Sequence, residues 1–478
     1  MLYLQTYLSI LIVAASLPAM LEYAQQNAAI INTILAIVGA LFFIYWVRVQ
    51  SFSNAAPKGC QKIGLSPKQS NLNDEYDPTY ANGGPENSTD EQGHPAWRIK
   101  ALFTYPIKSC AGIELDTADI VSTGLAFDRQ FCFAEEVTPA AASRKNPSSS
   151  NLGTSWIART LRNSGFNKLA LVRSEIWVPD SSVPGYSPDL EEVKSQGVIM
   201  LYYPHIGHNA LHSFFLTFGI YLNLIGHETS FRIPLVPPPD SEKAYPLTPV
   251  KIWKDCPLAY DYGKHIPDSF HRFLAHQRDS EKRRDSGRIT LFRVHPSNYR
   301  EIFRNAPGKK DLGFQPTTGF ADAYPLHILS LSSVRDVAAR CASSLPKLSI
   351  RRFRANIIIQ GPGAFIEDNW KRIRISSAEE NRTSTNGTTI HTVCRTIRCK
   401  LPNVDPDTGI RHPREPDQTL RSYRVIDAGE RAYACLGMQG VPAVQESRVR
   451  VGDAVSVLET GEHFYVKMLA PGEVVEGV

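Results

Sequence analysis

Hydrophobic and polar positions divide the chain into three textures. Ala28 to Val47 (AAIINTILAIVGALFFIYWV) is a run of twenty residues without a charge. As a helix it would extend about 30 Å, the hydrocarbon thickness of a bilayer. Tyr45 and Trp46 close it, with Arg48 just beyond, an arrangement that suits a membrane interface. No basic segment precedes the run, so the pattern predicts an uncleaved transmembrane anchor within residues 1–50 rather than a secretory signal. Met1–Met20, also uncharged, reads as a second short membrane segment or part of the same targeting element. Arg48, Lys58, Lys62 and Lys68 follow the anchor and only Glu22 precedes it, which predicts a cytosol-facing body.

Residues 51–97 lose the apolar period and fill with Asn, Gly, Pro and Ser, the texture of a flexible tether. From Arg98 onward, short β-branched and aromatic runs between turn residues predict strands at Ala96–Phe103, Arg129–Ala134, Leu169–Val172, Phe231–Leu235 and Val250–Trp253. Ile266–Leu274 predicts a short helix burying Phe270, Phe273 and Leu274. Glu136–Ser155 reads as a surface insertion and Pro179–Ser195 as a loop. Leu211–Ile225, bounded by His208, His212 and His227, is too short to span a bilayer and predicts a buried or membrane-touching helix in an insertion. Beyond Gly287 the pattern predicts a helix near Ser330–Cys341 and strands at Ala355–Gln360, Lys371–Ile375 and Val451–Leu458. Short strands with few helices predict a mainly β, α+β protein: one β-barrel-like domain over 98–285 and a second over 286–478.

Composition narrows the function classes. With 42% hydrophobic and 21% charged residues in 478, most of the chain should fold. A formal charge of +5 is too small to suggest a nucleic-acid binder. Eight scattered cysteines are not a disulfide scaffold. Neither GxGxxG before a helix nor GxxxxGK[ST] occurs, which counts against dinucleotide and P-loop chemistry.

The chemistry gathers around Cys399. In Cys394-Arg-Thr-Ile-Arg-Cys399 this cysteine has Arg398 and Arg395 nearby and is followed by Val404-Asp-Pro-Asp-Thr-Gly409. A thiolate beside cations suits a soft metal or a reactive cysteine. Zinc would ask for further Cys or His ligands at close spacing, for which Cys394, His391 and His412 are the nearest candidates. In Arg351-Arg-Phe-Arg-Ala-Asn356, strand alternation would place Arg352, Arg354 and Asn356 on one face, an anion cradle of planar forks; a solvated sheet edge is the plainer reading. Lys108, in Tyr105-Pro-Ile-Lys-Ser-Cys110, offers a point charge to the same anion. Asp405 and Asp407 read first as turn-formers.

Taken in order, Tyr105-Pro-Ile-Lys-Ser-Cys-Ala-Gly112, Phe320-Ala-Asp-Ala-Tyr-Pro-Leu326, Arg352-Phe-Arg-Ala-Asn356, Phe365-Ile-Glu-Asp-Asn-Trp370, Arg398-Cys399 with Val404–Gly409, Thr419–Arg424 and Val451-Gly-Asp453 resemble the MOSC family. Within that family the likeness is to its membrane-anchored amidoxime-reducing components. The resemblance covers roughly residues 98–458. It implies an N-terminal MOSC β-barrel unit, a MOSC domain and a molybdenum–molybdopterin cofactor, with Cys399 as thiolate ligand. Lys108, Arg129, Arg352, Arg354, Asn356 and Arg398 would be cofactor contacts, with Ser330 (or Ser332) and Arg159 as weaker carry-overs and Asp405 an assistant in orienting the loop or relaying protons. The implied activity is two-electron reduction of amidoximes and hydroxylamines. Electrons would come from a cytochrome b5-type donor and its NADH-dependent reductase. The implied location is the outer mitochondrial membrane, with endoplasmic reticulum as the alternative. Ala355 replaces the proline usual in the Arg-Phe-Arg-Pro-Asn motif. Two other readings stay open: a cofactor-binding or sulfur-transfer protein of the same family, and a membrane-tethered scaffold without enzymatic activity.

Overall fold

A computed structural model describes residues 27–52, 56–138, 154–207, 209–275, 287–377 and 387–467. Met1–Met20, most of the Glu136–Ser155 insertion and His208 lie outside them. The described parts of Met1–Ala56 group with Gly207–Thr229 as one unit, and Pro57–Ile206 with Ser230–Val478 as another.

The second unit is built on two barrels. In the larger, Ile357–Gln360, Leu326–Ser330, Cys435–Pro442, Thr388–Ile397, Trp370–Ser376, Ala454–Thr460 and Arg98–Thr104 pair in that order. Ile357–Gln360 also pairs antiparallel with Arg98–Thr104, which closes the ring. The apolar triplet Ile357–Ile359 is explained by burial on both faces. Ile357 and Ile359 pack with Ile99, Leu102 and Ile328. Ile358 faces the other way, against Ala101, Leu329, Val334 and Val337. The last two belong to helix Leu331–Cys341, which covers that face. A strand covered on both sides needs apolar residues without alternation.

The smaller barrel closes through Leu247–Lys251, Leu258–Asp261, Ile289–Val294, Phe131–Val137 and Ser155–Ala158. Its strands lie in sequence between Arg98–Thr104 and Leu326–Ser330 of the larger barrel, so it is an insertion into that barrel. The expected linear division at 285/286 therefore does not follow the sheets. Helix Asp268–Ala275 buries Phe270, Phe273 and Leu274 as its pattern predicts. Phe270 stacks 5.1 Å from Phe133 of the small barrel and meets Tyr203 of strand Val198–Pro204 edge-on at 5.0 Å.

Several expectations need correction. The tether is folded from Pro57 onward: Cys60–Ile63 pairs antiparallel with Arg173–Pro179. Glu114 accepts from Ser70 and Asn71, and Glu75 accepts from the Ile350 amide at 2.9 Å. Carboxylate hydrogen bonds, with Leu72 as an apolar anchor in the core, hold this segment, so its polar composition hid the order. Leu169–Val172 is not a strand; the chain forms a 3₁₀ turn at Asn167–Leu171. Arg351–Asn356 is not a strand either. Ile350–Phe353 is a 3₁₀ turn and Arg354 leaves it at φ 56°, so alternation does not govern where these arginines point.

Ala28–Phe52 is a 25-residue helix. Among the described residues no helix is long and apolar enough to cross a membrane. Leu211–Ile225 contains the expected helix at Ala210–Tyr221, but Leu211, Phe214 and Tyr221 are exposed, which overturns the buried alternative.

Candidate cofactor site

A cavity of about 680 Å³ opens where the turn after Arg98–Thr104, the Arg354 corner and the end of strand Thr388–Ile397 meet. That volume is within the range of cofactor and substrate pockets. Seven Lys or Arg side chains and two carboxylates line it, so it favours an anion. Four lining residues, Ser109, Arg129, Trp253 and Arg354, have left-handed backbones, with φ of 70°, 47°, 54° and 56°. Non-glycine residues in this region cost of order 1–3 kcal/mol each and gather where a binding surface is imposed on the chain.

One chain of contacts crosses the cavity. Arg162 Nε donates to Cys399 Sγ at 2.8 Å, and Arg162 Nη2 donates to Asp322 Oδ2 at 2.8 Å. Lys108 Nζ donates to Asp322 Oδ1 at 2.6 Å and to the Phe320 carbonyl at 2.8 Å. Burial pushes the Lys108 ammonium down to about 8, with Asp322 pulling the other way. Burial would raise Asp322, but Arg162 and Lys108 overcome it and hold the carboxyl well below its usual range. The guanidinium of Arg162 also lies 4.4 Å from the ring of Trp253.

Asn356 organises the adjoining wall. Its Nδ2 donates to the Phe103 carbonyl and Asp128 Oδ1; its Oδ1 accepts from Arg129 Nη1 and the His327 amide. Arg129 in turn donates to Asp128 and to the Arg354 carbonyl. Arg354 Nη1 donates to the Cys110 carbonyl at 2.6 Å, and its guanidinium lies 4.3 Å from the Tyr105 ring. Arg398 is turned into the wall, donating to the Leu436 and Phe353 carbonyls and approaching His327 Nε2. Burial lowers Arg398 to about 9 and keeps His327 well below its ordinary value.

Lys108, Arg129, Arg354, Asn356, Arg398 and Cys399 therefore share the cavity. Four other expected residues are placed elsewhere. Arg352 donates to the Pro402 and Asn403 carbonyls and, at 2.5 Å, to Asp405 Oδ2. Asp405 also accepts from the amides of Asp407 and Thr408, so this pair braces the loop after Cys399. Ser330 lies buried against Ser332 and Glu367. Arg159 pairs with Glu135 at 2.7 Å. Arg162, Asp322 and Trp253 were not singled out in the sequence. Asp322 sits inside the Phe320–Leu326 motif, but nothing local marks Arg162.

Cys394, the rival ligand, is fully buried, and burial pushes its thiol up to about 12. Of the eight cysteines, Cys399 alone lines the cavity. Among the described residues no group of three or more Cys, His, Asp or Glu is placed to hold a metal, so the chain does not assemble the zinc set considered above.

A family model for the MOSC domain matches residues 315–456, and one for the MOSC N-terminal beta barrel domain matches 96–167. The chain therefore carries two domains of the MOSC family. This MOSC protein is similar to mitochondrial amidoxime-reducing component 1 of Mus musculus, 37% identical over 142 residues. It is also similar to that component of Homo sapiens, 35% identical over 142 residues, and to component 2 of Bos taurus, 33% identical over 139. These matches span 28–29% of the MOSC chain and 38% of each relative.

The cavity fits the cofactor that the MOSC resemblance implies. Arg162 Nη1 and Arg354 Nη2 are buried there without a hydrogen-bond partner. Buried donors left unpaired cost about 1–3 kcal/mol each, a cost that acceptor oxygens on an anionic group would offset. The sulfur of Cys399, on the same cavity, is a soft donor of the kind such a group would take.

Proposed function

We propose that this chain holds a molybdenum–molybdopterin cofactor in the Cys399 cavity and reduces N-hydroxylated compounds, amidoximes to amidines and hydroxylamines to amines. The single observation that carries the reading is that the one cysteine on the cavity lies among unpaired guanidinium donors. When bound, the cofactor would supply the two-electron chemistry, which with two protons converts the N–O bond into N–H and water. The chain's own residues bind and orient. Arg354 and Lys108 would hold the anionic part of the cofactor with their positive charge, with Arg129 kept alongside by Asp128 and Asn356. Arg162 fixes the direction of the Cys399 sulfur, and Asp322 in turn fixes Arg162 and Lys108. Arg352 and Asp405 hold the loop that carries Cys399 onward.

The electrons would come from a cytochrome b5-type protein and its NADH-dependent reductase. Residues 28–47 would anchor the chain in a membrane, the outer mitochondrial membrane by family likeness, with the body in the cytosol. A shared membrane raises the effective concentration of such partners.

Metal and pterin analysis of the full chain tests the reading. About one molybdenum per chain is expected in the wild type. Cys399→Ala should abolish amidoxime reduction, while Cys394→Ala should retain it. A chain without molybdenum after cofactor-competent expression would sink the proposal, and the reverse pattern of variants would move the ligand to Cys394.

A further inference from the structure

Between Pro204 and Glu228 the chain carries no Asp, Glu, Lys or Arg. Its central helix, Ala210–Tyr221, is capped by Asn209, whose side chain accepts from the His212 amide at 2.8 Å. Twelve residues at 1.5 Å each extend about 18 Å, well short of a bilayer. At about 100° per residue, Leu211, Phe214, Phe215, Phe218, Tyr221 and Leu222 fall within one stripe about 120° wide. All six are exposed, from 45% for Phe215 to 81% for Tyr221. Phe214 and Phe218 lie with parallel rings 6.3 Å apart along it. Leu216 and Gly219 are the buried positions. A surface helix ordinarily turns its apolar stripe inward; this one turns it outward.

We infer that this helix is a second, interfacial membrane contact, lying in the bilayer surface with the aromatic stripe among the acyl chains. Three observations choose lipid over a protein partner. The stripe has no Asp, Glu, Lys or Arg beside it, its nearest titratable neighbours being His205, His208, His212 and His227, and exposed Leu224 extends it on the C-terminal side. The aromatic content matches the membrane–water boundary, where amphipathic rings are favoured. The segment also belongs to the same compact unit as helix Ala28–Phe52, whose Ile30, Ile34, Leu35, Ile37 and Val38 are likewise exposed. This last argument rests on the anchor reading; the first two do not. Chain connectivity gives the contact its use. The segment leaves strand Val198–Pro204 and returns in Glu228–Pro234, so it is tied by the chain to two neighbouring strands of one sheet.

Photolabelling tests this with the full chain in phosphatidylcholine vesicles containing a diazirine-bearing phosphatidylcholine, followed by peptide mapping. Adducts on residues 211–224 are expected, and Phe214→Glu with Phe218→Glu should reduce them at least tenfold while leaving the thermal melt and any adducts on 28–47 unchanged. Adducts confined to 28–47 would overturn the inference and leave the anchor standing. Adducts on 211–224 without any on 28–47 would support it and remove the anchor instead. Cross-linking of 211–224 to a second copy in place of lipid would also overturn it. The wild-type labelling stands by itself should the double variant fold poorly.

Discussion

Replacing Arg352 by methionine separates a brace from a cofactor contact, with Arg354→Met as its counterpart. Arg352 is 5% exposed and makes three hydrogen bonds, two to loop carbonyls at 3.2–3.3 Å and one to the Asp405 carboxylate. Breaking a buried charge pair costs 3–5 kcal/mol. Because Asp405 is part-exposed and regains water, the lower end applies, about 3 kcal/mol. Unfolding entropy of about 2.1 cal/mol/K per residue gives a chain of this length about 1 kcal/mol per degree, so Tm should fall by about 3 °C. Hydrogen exchange should quicken at residues 401–411, where the freed carbonyls lie. Arg354 behaves differently. Burial holds its guanidinium down at about 10, a cost of about 3 kcal/mol that its removal would relieve. That relief roughly offsets the donor lost by the Cys110 carbonyl, so Arg354→Met should leave Tm nearly unchanged. Its effect should appear in cofactor retention. One charge-assisted hydrogen bond is worth about 1.5–3 kcal/mol, or about 10- to 150-fold in affinity. Molybdenum and pterin retained after dilution, measured beside the melts, gives both readouts. If Arg352→Met keeps its Tm and its loop protection yet loses cofactor as Arg354→Met does, the bracing role is refuted.

The Lys108 ammonium, lowered by burial to about 8, makes anion binding pH-dependent. Affinity of cofactor-free protein for sulfate, whose charge is constant over the range, should be full below pH 8 and decline above it. Titration calorimetry should show Lys108→Met weakened and flat across that range. Glu367 is raised from 4.5 to about 7 by burial and by Asp368. The unfolded carboxyl ionises first, so stability is fully present below pH 4.5 and is lost as pH rises through 7, by about 3 kcal/mol. Glu367→Gln should therefore gain Tm over wild type between pH 5 and 8, and an unchanged difference would refute the assignment. Glu75→Ala removes the acceptor for the Ile350 amide and should cost about 1–3 kcal/mol, with faster proteolysis inside 57–97.

How much of this was legible in the chain depends on the range of each interaction. Most of the strand texture and the Phe270–Leu274 helix rest on local periodicity and appear as expected, Leu169–Val172 being the exception. Cys399 and Lys108 were legible because a lone soft or cationic side chain in an apolar setting needs a reason. Arg162 was not, since its partners are Cys399 and Asp322, 237 and 160 residues away. Arg352 and Arg354 were grouped by a strand rule that a 3₁₀ turn and one left-handed residue annul, so two arginines two positions apart take up different work. Asn356 and Arg398 line the cavity, but their hydrogen bonds go largely to the protein, a distinction no residue pattern contains. The polar tether misled for the converse reason: Glu75 and Glu114 satisfy backbone amides far away in sequence.

The insertion of the small barrel into the large one has a consequence for synthesis. Strand Arg98–Thr104 emerges from the ribosome early, but its partner Ile357–Gln360 comes more than 250 residues later, and Ala454–Thr460 later still. The small barrel, complete by Val294, can close while the nascent chain still carries an unpaired apolar edge. Lys108 and Cys399 stand on opposite sides of that delay. The cavity that both residues line is therefore incomplete until the chain beyond Cys399 has been made.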